Sequence, residues 1–272
     1  MSAIADYIKI CEEAVRAGGA TVQDWIGRFQ VHEKGPADLV TQADLTSQEV
    51  IRRMVLGAFP DHCFLGEEEA GNGGPIRRSP YRWIVDPLDG TTNYVHQVPH
   101  YAVSLALEHE GEVLVGAVFD PVLKECFAAV LGRGAWLNGR PIHTSTVPEL
   151  SQALGATGFP ANLPPDNPDL PVFIEAAYRC QSVRRMGSSS LNLCYVAAGR
   201  FDVYWSFSTK IWDVAAGALI LREAGGVISA PDGGDFVLED ARLLAAANQP
   251  LHAKFQDLVR AALSPHERRH TV

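Results

Sequence analysis

The sequence predicts a layered α+β fold. Two helical patterns open the chain, a series of β-type runs that reads as mostly antiparallel follows, and helices alternate with strands from about residue 170 onward. Hydrophobic residues make up 47% of the 272 residues and charged residues 20%, which provides for a full core and argues against intrinsic disorder. Length fits one large domain or two small ones. The reading adopted is a single unit over 1–272 with two subregions, about 1–150 and 151–272.

Residues 3–26 have helical spacing, with Ile4, Tyr7, Ile8, Cys11, Ala14 and Val15 recurring at intervals of three and four. Gly18 and Gly19 interrupt the pattern and predict a kink or an early end. The segment EKGPADLV (33–40) reads as a loop. Residues 42–57 read as a second helix, with Leu45, Val50, Met54 and Val55 on its apolar side. Short β-type runs cover 62–66, 81–86, 101–109, 112–120 and 125–130, and Glu110-Gly111 marks a hairpin. Five prolines between 158 and 171 exclude regular structure there and mark an internal boundary. Beyond them the pattern gives helices near 170–180 and 188–199, with a strand near 182–186 between them. A strand at FDVYW (201–205) and a helix over 212–226 ending on Gly225-Gly226 come next. Strand-like GVISA (226–230) and ARLLAAA (241–247) precede a last helix over 250–263. The small residues of 213–226 predict close packing of that helix against a sheet.

Charge and composition exclude several function classes. With 23 basic and 32 acidic residues the net charge is −9, so neither nucleic acid nor an anionic membrane surface is a default partner. No apolar run reaches the roughly 18 residues of a membrane span. Asp6, Glu12 and Glu13 interrupt the opening apolar residues, unlike a secretory signal. The expectation is a cytoplasmic protein. Its five cysteines form no C-x-x-C pair and are odd in number, so they read as reduced, mostly buried thiols. The nine histidines show no metal-ligand spacing; His96 and His100 read as loop or core residues, and HERRH (266–270) as a frayed end.

Acidic residues concentrate in four places: Asp44, Gly66-Glu67-Glu68-Glu69, Asp86-Pro87-Leu88-Asp89-Gly90-Thr91-Thr92, and Trp212-Asp213. Asp86 lies at the end of an apolar strand. Pro87 is expected to stop that strand and preset a turn that returns Asp89 to the same side. Thr91-Thr92 can open a helix, whose free N–H groups would cradle a phosphate. Close carboxylates raise one another's pKa unless neutralised, and Mg²⁺, a hard cation that takes oxygen ligands, neutralises them. The chemistry inferred is metal-assisted hydrolysis of a phosphate monoester. Each place has a plainer reading taken alone. Asp-Pro and Asp-Gly form ordinary turns, Gly-Glu-Glu reads as a solvated turn, Asp44 as a cap, and Asp213 as an acid favoured by a helix dipole.

Together these segments carry a resemblance. Asp38-Leu39-Val40-Thr41-Gln42-Ala43-Asp44, Gly66-Glu67-Glu68, Trp83 to Tyr94, and Trp212-Asp213-Val214-Ala215-Ala216-Gly217 look like the inositol monophosphatase family, in family order, over about residues 5–260. The resemblance implies an αβαβα sandwich of the inositol monophosphatase/fructose-1,6-bisphosphatase type and a Mg²⁺-dependent phosphatase with on the order of two or three ions per site. It implies that Glu67, Asp86, Asp89, Asp213 and the Leu88 carbonyl are metal ligands. Asp44 and Thr91 would activate the attacking water, and Gly90, Thr91 and Thr92 would bind phosphate. Gly187, Ser188, Ser189 and Asp89 would contact the substrate. Ser188 also reads as a helix N-cap. Ser206 stands where many inositol phosphatases carry a Glu that contacts a substrate hydroxyl, which puts inositol itself in question. Lys210 reads as a surface residue. The implied partner is a small phosphorylated substrate and the implied assembly a homodimer. Inositol 1-phosphate leads the substrates. Histidinol phosphate, a sugar 1-phosphate, fructose 1,6-bisphosphate and a nucleotide 3′-phosphate follow. From another class comes a catalytically weak interaction or regulatory protein on the same fold.

Overall fold

The computed structural model describes residues 3–35, 38–69 and 79–264; the segment 266–270, expected to fray, lies outside them. Helix α1 (Ala3–Asp24) leads into strands β1 (Val31–Gly35) and β2 (Asp38–Thr41), then α2 (Gln42–Ala58) and β3 (Cys63–Gly66). A 3-10 turn at Glu67–Glu69 precedes β4 (Tyr81–Asp89) and the short α3 (Thr91–Val95). Strands β5 (Ala102–His109), β6 (Glu112–Asp120), β7 (Glu125–Val130), β8 (Gly134–Leu137) and β9 (Arg140–Pro141) form a meander. The second half runs β10 (Leu154–Thr157), α4 (Asp169–Arg179), β11 (Ser182–Arg184), α5 (Ser189–Ala197) and β12 (Val203–Ser206). It ends with α6 (Ile211–Glu223), β13 (Val227–Ser229), β14 (Leu243–Ala246) and α7 (Gln249–Leu263).

Besides the β1–β2 pair, the described residues form two sheets. The first has seven strands in the order β3-β4-β5-β6-β7-β8-β9, parallel only between β3 and β4. The second has five, in the order β11-β10-β12-β14-β13. Strands of the first sheet are apolar on both faces because both are covered. Trp83, Val85, Val103, Leu105 and Val115 face α1 and α2, while Ile84, Ala106, Val118 and Phe127 face α5 and α6. Tyr204 and Leu243 of the second sheet close that inner layer from the other side, and Trp205 and Leu244 on the opposite face pack against α4 and α7. The layers therefore run αβαβα, the sandwich that the resemblance implies. Helix α6, buried from Val214 to Leu221, lies at the centre. A Cβ on Gly116 of β6 would stand 2.9 Å from Ala216 Cα, so the small residues of α6 do let it settle onto the sheet. Its end is a Schellman cap on Gly225 (φ +95°), with Gly226 N–H donating to the Leu221 carbonyl at 2.9 Å.

The structure departs from expectation at six points. Helix α4 begins at Asp169 with Pro171 in its first turn, inside the stretch read as irregular. Strand β10 forms where no strand is predicted. Gly18 and Gly19 neither kink nor end α1. A Cβ on Gly18 would meet Ile51 Cδ1 at 2.8 Å, and one on Gly19 would meet Phe119 Cδ1 at 2.5 Å, so these positions let α1 press against α2 and the sheet. The EKGPADLV segment contributes β1 and β2, whose antiparallel register pairs Val31 with Thr41. Strands β8 and β9 had no counterpart in the hydrophobic pattern, because their few residues extend an edge. Pro87 does not stop β4. Three steps from Asp86 to Asp89 oppose two from Ser104 to Ala102, a bulge in which the missing proline N–H is not needed. Among the described residues no helix is long and apolar enough to cross a membrane.

Candidate active site

Strand register sets the first contacts. Strands β3 and β4 are parallel with Gly66 opposite Val85, so the next residues, Glu67 and Asp86, leave this ladder as neighbours. Asp86 pairs with Ser104, and the Ser104 hydroxyl donates to the Trp212 carbonyl at 3.4 Å, bringing the start of α6 and Asp213 over β4. The bulge turns the Leu88 N–H onto Asp86 Oδ1 at 3.0 Å. Asp89 faces the start of α5. Its Oδ2 accepts from Ser188 Oγ at 2.6 Å, from Ser190 N–H at 2.7 Å and from the Ser190 hydroxyl, and its Oδ1 accepts from Ser189 N–H at 3.2 Å. Ser188 is also the N-cap of α5, accepting from Leu191 N–H at 3.3 Å.

Asp44 and Asp213 share a local design. Each is the third residue of its helix and accepts an N–H from the cap: Thr41 N–H reaches Asp44 Oδ2 at 2.8 Å, and Lys210 N–H reaches Asp213 Oδ2 at 2.7 Å. Asp44 is bound into the cap of its helix as read, and Asp213, read as an acid favoured by the helix dipole, bonds its cap in the same way; these bonds orient both acids. Thr41 Oγ1 adds a second bond to Asp44 at 2.7 Å. Thr91, the first residue of α3, has its Oγ1 3.1 Å from Asp44 Oδ1 and 3.0 Å from the Leu88 carbonyl. Gly90 before it has φ +100°, and a Cβ there would meet the Gly187 and His100 carbonyls at 3.2 Å. Asn93 Nδ2 donates to the His100 and Met186 carbonyls, both at 2.7 Å, tying the β4–α3 corner to the segment before α5.

The electrostatics follow from this crowding. Burial pushes the Asp86 carboxyl well above its ordinary range, and Glu67, Asp89 and Asp213 push it further. Asp213 is raised well above as well, by burial, then Asp89 and Glu67. Asp89 is raised by burial and partly relieved by its serine bonds. Asp44 is pushed up to about 6 by burial against the pull of Thr41, and Glu68 up to about 7 by burial and the charge of Glu67. Lys34 of β1 answers part of this charge, its Nζ donating to Glu67 at 2.7 Å and Glu68 at 3.1 Å. Burial would lower Lys34, but Glu67 and Glu68 outweigh it and raise it.

The structure thus brings Asp44, Glu67, Asp86, Leu88, Asp89, Gly90, Thr91 and Asp213 around one corner, with Gly187, Ser188 and Ser189 against it. Thr92 is exposed. Ser206 ends β12 only 1% exposed, its hydroxyl turned to the Gly158 carbonyl at 3.4 Å. The Lys210 side chain is exposed, as its surface reading expects. His100 is a core residue that burial pushes down to about 4. Sequence reasoning missed Lys34, Thr41, Glu68 and Ser190 as partners of the site. Thr41-x-x-Asp44 is a capping-box pattern and could have been found; Glu68 stands in the acidic Gly66–Glu69 run, while Lys34 and Ser190 carry no local signal.

The donor chemistry fits Mg²⁺. It is all oxygen, from carboxylates and the Leu88 carbonyl, with more negative charge than Lys34 offsets. The protein bonds engage Oδ1 of Asp86 and Oδ2 of Asp213, and the second oxygen of each lies outside them. Among the described residues no three His, Cys, Asp or Glu side chains are drawn tightly enough to cage an ion by themselves. Each carboxylate instead rests on its own N–H or ammonium donors.

A sequence profile of the inositol monophosphatase family matches residues 4–264. Among relatives, "Nus factor SuhB" of Pseudomonas aeruginosa is 41% identical over 244 residues, covering 88% of this chain and 90% of that one. "Inositol-1-monophosphatase" of Caulobacter vibrioides is 37% identical, covering 92% and 99%. Of solved structures, the extragenic suppressor protein suhB of Bartonella henselae superposes with a TM-score of 0.87 at 35% identity, covering 94% and 98%. Inositol monophosphatase from Anabaena superposes with 0.83 at 35% identity, covering 96% and 97%.

Proposed function

The chain belongs to the inositol monophosphatase family, a phosphatase of that superfamily, and from that premise we propose a Mg²⁺-dependent hydrolase of small polyol or sugar phosphates, inositol 1-phosphate first among them. The observation that carries this reading is the corner where Glu67, Asp89 and Asp213 raise the Asp86 carboxyl, and Asp89 and Glu67 raise Asp213, beside the Asp44–Thr91 hydrogen bond. Glu67, Asp86, the Leu88 carbonyl, Asp89 and Asp213 would hold the metal. Mg²⁺ bound there supplies positive charge to the phosphoryl oxygens and acidifies water in its coordination sphere. Thr91 gives its hydroxyl proton to Asp44 and accepts one from the attacking water, which Asp44, ionised above about pH 6, makes favourable near neutrality. The N–H groups of Gly90, Thr91 and Thr92 hold the phosphoryl oxygens at the start of α3. Asp89, Gly187, Ser188 and Ser189 line the alcohol side, and Ser206 stands where a Glu would meet a substrate hydroxyl. The reading includes a cytoplasmic homodimer, as the family resemblance implies.

Relatives named as a Nus factor favour a second reading, a regulatory interaction protein on the same fold with weak catalysis. Phosphate release from inositol 1-phosphate, histidinol phosphate, a sugar 1-phosphate, fructose 1,6-bisphosphate and a nucleotide 3′-phosphate, with Mg²⁺ and with chelator, separates the two. Mg²⁺-dependent turnover supports the hydrolase. No release from any ester by folded protein rejects it in favour of the second reading.

A further inference from the structure

Asp169 is a completely buried carboxylate outside the site described so far. It is the first residue of α4 and 0% exposed. Both its oxygens face the backbone N–H of Phe207, Oδ1 at 3.1 Å and Oδ2 at 3.4 Å. Its own N–H donates to Asn167 Oδ1 at 2.8 Å, which fixes the turn that presents it. Burial pushes its carboxyl up to about 7, with the Phe207 bond working against that rise. A side chain this costly to ionise is an expensive way to hold one N–H unless the position of that N–H matters.

The position of Phe207 matters because it directly follows Ser206, the last residue of β12, and opens the loop that leads to Asp213. That loop is pinned at three points. Asp169 holds its start, Thr209 Oγ1 donates to the Ala241 carbonyl at 2.7 Å in its middle, and Asp213 accepts the Lys210 N–H at its end. The last two pins keep α6 and Asp213 in place independently of the first. We propose that Asp169 is a positioning residue: by clamping the Phe207 amide from across the second sheet's rim, it sets where Ser206 sits and thereby the fit of the substrate's alcohol part. This rests on the proposed hydrolase function. It extends that reading to Asn167-Pro168-Asp169, at the end of the proline-rich stretch.

The test uses the full chain with Mg²⁺ and the ester it hydrolyses best. Asp169→Ala removes the acceptor and is expected to raise KM about tenfold while kcat stays within about threefold. Asp169→Asn keeps an acceptor and is expected to restore KM to within about threefold of wild type. Hydrogen exchange needs no substrate: the Phe207 amide is expected to exchange at least about tenfold faster in Asp169→Ala and about threefold faster in Asp169→Asn, a neutral and weaker acceptor. Unchanged KM with unchanged Phe207 exchange overturns the proposal, as does an equal loss in kcat and KM in both variants. If Asp169→Ala does not fold, Asp169→Asn decides alone, and wild-type exchange at Phe207 overturns the clamp. If no ester is hydrolysed at all, the function reading has failed, while the exchange data still judge the clamp separately.

Discussion

The two sheets meet at the site and contribute unlike things. The seven-stranded sheet supplies charge: Asp86 and Asp89 from the β4 bulge and Glu67 from the end of β3, each raising its neighbours. Asp213 joins them from α6, which lies between the sheets; the five-stranded half otherwise supplies neutral hydroxyls and N–H groups: Ser188, Ser189 and Ser190 on Asp89, and the Ser206–Phe207 corner. One half assembles the electrostatics of the reaction; the other shapes what is presented to it. The first is therefore expected to govern turnover and the second recognition, and substitutions on the two sides should separate kcat from KM.

The largest effect belongs to the charged side. Asp89→Asn removes a carboxylate charge and is expected to lower kcat by roughly a thousandfold or more. Wild-type turnover in that variant would reject Asp89 as a ligand. Asp44→Asn is expected to cost about a hundredfold to ten-thousandfold and to erase the acid limb of the rate profile. In wild type kcat/KM should rise as pH passes about 6, where Asp44 ionises. Stability runs the other way. Because folding raises Asp44 from 3.8 to about 6, its contribution is full below pH 3.8 and is lost as pH rises through 6. A rate profile flat from pH 5 to pH 7 would contradict Asp44 as the base.

Some of this was legible and some was not, for physical reasons. The carboxylates were legible because holding a cation takes charged residues at turns and helix starts, and such residues are conspicuous among apolar strands. The helices α2, α5 and α6 were legible from spacing and from Ser188 and Gly225 at their ends. The β1–β2 pair was hidden because β1 is almost wholly exposed and neither strand alternates. The β4 bulge was hidden because proline, read locally, ends a strand, and only the pairing with β5 shows that its N–H is not needed there. Gly18 and Gly19 read as breakers because their reason, the approach of Ile51 and Phe119, is tertiary. Ser190 had no signature, since its bond to Asp89 spans 101 residues.

The neutral side gives smaller and more selective effects. Ser190→Ala removes one of the two Ser190 donors that orient Asp89, the hydroxyl, and leaves the N–H; it is expected to weaken Mg²⁺ affinity or kcat about tenfold. An unchanged Mg²⁺ dependence would show that Ser190 is only packing. Ser206→Glu is expected to shift the ratio of kcat/KM values toward inositol 1-phosphate on the order of tenfold, or less, because the hydroxyl it replaces is buried against Gly158. Identical ratios across the ester panel would move specificity elsewhere in the pocket.

Everything above depends on these carboxylates binding a divalent cation together. Calorimetric titration of metal-free protein with Mg²⁺, on wild type and on Asp86→Asn, measures that without substrate. Saturable binding in wild type, weakened at least about tenfold in Asp86→Asn, is the expected result. Superimposable isotherms for the two proteins, or no binding in folded wild type, would contradict it.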